Sequence, residues 1–326
     1  VKEHVFVSAV VYVRNEEQNV ASALDQLNTY LATIYKNYEI ILINDASTDD
    51  TLEKARVVGG VLQGSLTIIN LARYHGVEKA MNAGLVKSIG DFIFEIENIN
   101  YEYPLSMLLT LYKTAVSGFD IVAASPNTGL PWTSKLFYKI MNKSSYLKID
   151  LKTESIRMVS RRALNAMLNL KEKVRYRKAL YAYTGFKKQI IEYEPHSKIV
   201  QKSKLNRENI STAFDVLVSF SNVGLRVSHY LSIIFLLFSL FMAGYTFYNY
   251  FFNQNLVQGW TTLMILISFG FTGLFFIVGM LGEYILRILI EIQSRPFYTT
   301  SSVEVYKPSP HQNVGQAYQE VAASKE

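Results

Sequence analysis

Tyr38 to Thr51 reads YEIILINDASTDDT and changes character at one point. Tyr38 to Ile43 is apolar and β-branched, the pattern of a parallel strand buried on both faces. From Asn44 onward, Asn44, Asp45, Ser47, Thr48 and Asp49 are residues that hydrogen-bond local backbone in turns and cap helices. The pattern predicts a strand, an acidic loop and a helix starting near Ser47, with Asp49 and Asp50 in its first turn, where they complement the helix dipole. In open α/β sheets ligands bind outside the carboxyl ends of the strands, so Asn44 and Asp45 stand where a ligand would be read. Each residue taken singly is also an ordinary turn or cap residue; the cluster is what points to a site. An acidic pair at a strand end suits hydrogen bonds to a base or a ribose. No G-x-G-x-x-G follows the first strand, and Gly59, Gly60 and Gly64 come after a helix, which disfavours a nicotinamide-binding fold.

The elements that must position this loop alternate along the chain. Val5 to Val13 is a buried strand that runs straight into Arg14, Asn15, Glu16 and Glu17. Glu17 to about Thr33 carries a helical stripe of Val20, Leu24, Leu27 and Leu31. The helix after the acidic loop extends to about Val58, Leu66 to Leu71 is a third strand, and Gly76 to Ser88 is a helix in which Ala80, Ala83 and Gly84 permit close packing. Asp91 to Ile96 is a fourth strand, followed by Glu97 to Glu102 and a helix opened by Pro104. Glu95 is expected on the opposite face of that strand from the site. Alternating strands and helices imply an α/β, doubly wound and mostly parallel sheet, with carboxylates gathered at the strand ends. Asp120 to Ala124 reads as a further strand. Trp132 to Leu147, aromatic and basic, reads as a helix against the sheet or the membrane.

The C-terminal third has a different composition. Tyr230 to Phe252 and Trp260 to Leu281 carry no charged residue, and each is long enough to cross a bilayer core. The Asn253 to Gln258 connection is short, so the two predict a transmembrane hairpin with both flanks on one side. Lys204, Arg207 and Arg226 before it and Arg287, Arg295 and Lys307 after it place that side in the cytoplasm. Asn209 to Arg226 has the spacing of an interfacial helix, or equally of a core helix. From Ser294 a polar tail is expected to be mobile. The first strand begins by Val5 and neither span is near the N-terminus, so no cleavable signal is expected. The absence of cysteine excludes disulfides, thiolate metal sites and cysteine nucleophiles. Of the net charge of +6, much lies in Lys171 to Arg207, with eleven basic residues against three acidic. Its place before the membrane points to anionic headgroups or a phosphorylated lipid rather than nucleic acid. Neither span holds an ionisable residue to mark a transport pathway.

VVYVRNEEQNV, IILINDASTDDT, LARYHGVEKAMNAGLVKSIGD, SIRMVSRR, ALYAYTGF, QKSKL and SFSNVGLRV follow one another in the order found in the family 2 glycosyltransferases of GT-A fold. More narrowly, the chain resembles the dolichyl-phosphate mannosyltransferase-like branch, which moves a sugar onto a polyprenyl phosphate and carries a C-terminal membrane hairpin. The resemblance implies that Glu16, Asn44, Asp45, Arg73 and Asp91 meet the nucleotide, and that Arg157, Ser203 and Lys204 meet phosphate, with Glu97 beside them at the reacting centre. Arg offers a planar fork to phosphate oxygens and Lys a mobile point charge; ordinary surface charge is the alternative for Arg157 and Lys204. It further implies a cytoplasmic transferase domain over residues 1–207, an interfacial helix over 208–228, the hairpin over 229–291 and the tail from 292. The partners implied are a nucleotide-sugar donor, an undecaprenyl or dolichyl phosphate, the plasma membrane and, by analogy, a second copy of the chain.

The family's D-A-D-L-Q-D-P-P segment holds a divalent cation through two Asp and a Gln. Here the aligned residues are Glu97, Ile99 and Tyr101, within the segment from Glu97 to Pro104. Glu97 can ligate magnesium or manganese, Ile99 cannot, and Tyr101 is a poor substitute, so weak binding or none is expected. Two readings follow: an active inverting transferase, or a catalytically weakened relative that serves as a membrane scaffold or regulatory subunit.

Overall fold

The computed structural model describes residues 2–127, 154–170, 172, 176–195, 223–252, 259–292 and 296–307. The chain forms two compact units, Val1–Tyr138 with Ile149–Ser203 and Pro296–Glu326, and Lys139–Lys148 with Lys204–Arg295. Ser203, Lys204, the Trp132 to Leu147 segment and most of Asn209 to Arg226 lie outside the described residues.

The first unit is built on β1 (Glu3–Val13), α1 (Val20–Ile34), β2 (Tyr35–Asn44), α2 (Thr51–Gly59), β3 (Ser65–Leu71), α3 (Val77–Lys87), β4 (Phe92–Ile96) and α4 (Ser106–Val116). It continues with β5 (Ile121–Pro126), β6 (Ile156–Ser160), α5 (Arg161–Leu168), α6 (Arg177–Tyr183), β7 (Lys188–Tyr193) and β8 (Thr300–Tyr306). One 8-stranded sheet has the order β7-β5-β6-β4-β1-β2-β3-β8, with β6 and β8 antiparallel to their neighbours and the remaining pairs parallel. β1 is central, and Val7, Ala9, Val10, Val11 and Val13 are buried because helices cover both faces of a parallel sheet. On one face the α1 stripe of Val20, Leu24, Leu27 and Leu31 packs with Phe94, Ile96 and Leu108.

Two glycines let backbone come close. A Cβ at Gly84 of α3 would stand 2.6 Å from the Val10 and Ile43 side-chain tips, whereas one at Gly90 would stand 2.5 Å from the backbone nitrogen of Ser8. Side-chain tips can rotate away and backbone cannot. Gly90→Ala is therefore expected to destabilise the chain by about 1–3 kcal/mol and Gly84→Ala by less, an order that paired thermal melts would test.

β6, α5, α6 and β7 have no counterpart in the sequence expectation, and two expected elements take a different form. The helix expected from Ser47 begins at Thr51, because Ser47 and Thr48 are drawn to Asn15 while Asp49 Oδ1 accepts the Thr51 N–H at 3.1 Å and its hydroxyl at 2.5 Å. The tail expected to be mobile from Ser294 instead supplies β8, paired from Leu66↔Tyr306 to Leu71↔Thr300. Only one side of this edge strand is covered: Glu304 meets Arg56 at 2.6 and 2.9 Å, while Val303 and Val305 stay exposed. A strand with a single half-buried polar face has little apolar signature.

In the second unit, α7 (Val223–Phe252) and α8 (Trp260–Ile292) are 30 and 33 residues long. Phe269 packs on Phe235 and Phe238, with ring centroids 5.0 and 5.1 Å away. Among the described residues one helical window, Phe269–Leu286, is long and apolar enough to cross a membrane, with a mean hydropathy of 1.7.

Candidate active site

β1, β2, β3 and β4 run parallel, so the loops after them leave from one edge of the sheet. The loops after β1 and β2 are laced together. Asn15, at φ 52, accepts the Thr48 N–H at 2.9 Å and sends its own N–H to Ser47 Oγ at 3.0 Å. The Glu16 N–H reaches Thr51 Oγ1 at 2.7 Å, and the Glu17 N–H reaches Asp49 Oδ2 at 3.1 Å. Glu16 also accepts from Asn100 of the β4–α4 loop at 3.3 Å. Asn44 donates to Asn70 at 2.8 Å and accepts the Ser47 hydroxyl at 2.5 Å.

Asp45 is fully buried and holds the third loop in place. Its two oxygens accept the His75 and Gly76 N–H groups, each at 2.9 Å, just before α3, and the Tyr12 hydroxyl at 3.2 Å. A carboxylate there satisfies backbone donors and complements the α3 dipole. Burial, reinforced by Asp45, pushes the Tyr12 phenol well up, so it remains a donor. His75 Nδ1 lies 2.5 Å from the Arg73 carbonyl while Nε2 accepts the Thr299 N–H at 3.2 Å, which makes Nδ1–H the tautomer. Arg73 is exposed in this loop, and beside it the Arg14 guanidinium lies 3.6 Å over the Tyr74 ring. The structure thus brings Glu16, Asn44, Asp45 and Arg73 to one edge.

Behind the β4 strand end lies a buried ionic network. Three carboxylates converge on Arg177, with Glu78 at 2.8 Å, Glu95 at 2.6 Å and Glu97 at 2.7 Å. Glu95 also accepts Arg157 Nη1 at 2.8 Å and the Tyr181 hydroxyl. Arg157 forks onto Glu154, which takes Lys188 at 2.6 Å on its other oxygen. Burial works to raise the Glu154 carboxyl, but Arg157, Lys188 and Lys178 outweigh it and bring it down to about 2. Burial likewise opposes ionisation of Glu97, and Arg177, followed by Lys178 and Arg157, lowers it nonetheless.

The Glycosyl transferase family 2 pattern matches residues 8–168. An uncharacterized glycosyltransferase of Synechocystis sp. is 30% identical over 304 residues, covering 91% of this chain and 95% of that one. The chain belongs to glycosyltransferase family 2. The bactoprenol glucosyl transferase of Shigella phage SfII is 28% identical over 300 residues, covering 90% of this chain and 96% of that one. Among solved structures, mannosyl-3-phosphoglycerate synthase from Rubrobacter xylanophilus has a TM-score of 0.48 at 15% identity, covering 66% of this chain and 72% of that one.

Several expectations from the sequence meet a different geometry. Asp91 immediately precedes β4 and exchanges hydrogen bonds with Phe6, near the start of β1, so it lies at the sheet edge opposite Asn44 and Asp45 and does not join a nucleotide site with them. Arg157 is 2% exposed, and its fork is spent on Glu154 and Glu95 rather than offered to a phosphate. Glu95 shares Arg177 with Glu97, because residues two apart on a strand lie on the same face. Arg177, inside a basic run expected to face lipid, has no exposure at all.

The residues at the family's cation position do not fit a divalent ion. Glu97 is paired to Arg177, Ile99 is 3% exposed in the hydrophobic core, and the Tyr101 hydroxyl donates to the Ala23 carbonyl at 3.1 Å. Oxygen ligands are what magnesium and manganese need, and among the described residues no group of three acidic or imidazole side chains is placed to supply them.

Proposed function

We propose that this glycosyltransferase moves a sugar from a nucleotide-sugar donor to a polyprenyl phosphate, undecaprenyl or dolichyl, for cell-envelope or surface glycans. The observation that carries this reading is the end-to-end relation to a bactoprenol glucosyl transferase, 90% of this chain against 96% of that one. The placement of residues supports it: Asn44, Glu16 and Arg73 lie at the parallel strand ends, and Asp45 sets the loop that carries Arg73. α7 and α8 are proposed to cross the plasma membrane as a hairpin, leaving the transferase unit in the cytoplasm beside the lipid phosphate. Ser203 and Lys204 precede the hairpin and are proposed to meet phosphate there.

In the reaction an acceptor phosphate oxygen forms a bond to the anomeric carbon as the bond from that carbon to the diphosphate oxygen breaks. The nucleoside diphosphate leaves with the electron pair, and a single displacement inverts the anomeric centre. The acceptor is already an anion, so it needs positioning and charge neutralisation more than a strong base.

The full-length chain in detergent, given radiolabelled nucleotide sugars one at a time with undecaprenyl phosphate, is expected to form a labelled lipid with one donor. Folded protein that forms none with any donor would sink the transferase reading and favour the noncatalytic scaffold.

A further inference from the structure

The carboxylates behind the β4 strand end are already matched by cations of the chain itself. Glu78, Glu95 and Glu97 surround Arg177, and Glu154 is shared by Arg157 and Lys188. Lys178 lies close enough to lower both Glu97 and Glu154. Four carboxylates therefore face four cations, Arg157, Arg177, Lys178 and Lys188. A divalent-cation site needs the reverse, a local excess of carboxylate oxygen turned toward the ion.

Arg177 takes up the carboxylate oxygens such an ion would need. Its guanidinium has no exposure and holds three carboxylates at 2.6 to 2.8 Å. Glu97, the one of them nearest the strand end, retains 29% side-chain exposure, but one of its oxygens is 2.7 Å from Arg177 Nη2. An ion approaching its other oxygen would be repelled by that guanidinium, and positions 99 and 101 offer it an isoleucine in the core and a phenol already bonded to Ala23.

On the reading that this site takes a nucleotide sugar, we infer that it binds the nucleoside diphosphate without a divalent cation, a fixed arginine having replaced the ion's hold on the site carboxylates. The diphosphate charge then falls to side chains, of which Arg73 is an exposed one at the strand ends. Arg177 is a positioning residue in this scheme: it fixes Glu97 and the β4 strand end without touching ligand.

Two measurements on the full-length protein in detergent decide the matter. In the first, Mn2+ alone is titrated and its free signal followed by electron paramagnetic resonance. The expected result is no saturable site up to about 1 mM, the weak end of protein cation affinities. A stoichiometric site that disappears in Glu97→Gln would overturn the inference. In the second, UDP-glucose and GDP-mannose are titrated calorimetrically in Mn2+ and in EDTA. The affinity of the nucleotide sugar that binds is expected to agree within about threefold between the two conditions, and a loss of about tenfold or more in EDTA would overturn the inference. Failure of both donors in both conditions would count against the transferase reading instead, and the Mn2+ titration would still decide this one.

Discussion

Arg177→Met is expected to lower the unfolding free energy by about 3–5 kcal/mol at neutral pH, the cost of stripping the partner from buried charges. The side chain is fully buried, so water cannot take over its role, and Glu78, Glu95 and Glu97 lose the cation they share. Arg177→Lys recovers less than half of the loss, because a compact ammonium cannot span three carboxylates that the planar fork reaches at Nε, Nη1 and Nη2. Thermal melts of the two variants and the parent in one detergent measure both effects, and a methionine variant within about 1 kcal/mol of the parent would show that the network contributes little. The pH dependence has a definite sign. Glu97 and Glu154 have folded values below the ordinary 4.5, Glu154 about 2, so their contribution is present above 4.5 and is lost as pH falls toward 2. The gap between parent and Arg177→Met is therefore widest at neutral pH and narrows as pH falls, because without Arg177 burial is less opposed at Glu97, which takes up its proton at a higher pH in the variant than in the parent.

The central sheet was legible because its signal is local. Apolar runs such as Tyr38 to Ile43 and the stripe through Val20, Leu24, Leu27 and Leu31 state their own burial, and the loops between them fall at strand ends by topology. The ionic network was not legible, because its members come from elements far apart in sequence. Arg177 meets Glu78 across 99 residues and Glu95 across 82. Nothing in a basic run distinguishes the arginine that turns inward from the lysines around it. Arg157 and Glu95 are direct neighbours across β4 and β6, a relation that only the antiparallel register reveals. Asp91 misled for a different reason: the family resemblance assigned it to the nucleotide, although a residue just before a strand parallel to β1 stands at the amino edge of the sheet, opposite Asn44 and Asp45. β8 was missed because an edge strand covered on one side by Arg56 and Gly59 needs little hydrophobicity.

Asp45→Asn separates two roles that the sequence alone merges. The Asp45 carboxylate accepts three hydrogen bonds, from His75 N, Gly76 N and the Tyr12 hydroxyl. An asparagine keeps the size but has one accepting oxygen, and its amide would face a backbone N–H that can only donate. One donor left unsatisfied costs about 1–3 kcal/mol, and loss of charge at the start of α3 adds roughly 0.3–1 kcal/mol. Hydrogen exchange at the amides of His75 and Gly76 is expected to quicken in the variant with no nucleotide present, and nucleotide-sugar affinity to fall by about tenfold as the Arg73 loop loosens. A carboxylate whose main work is direct contact with base or ribose would behave otherwise. Exchange at those amides would be unchanged without ligand, and the variant would shift its preference among nucleotide bases rather than weaken toward all of them. The three hydrogen bonds already made by Asp45 favour the first pattern, in which it holds the β3–α3 loop against β2 and leaves the proposed ligand contacts to Glu16 and Arg73.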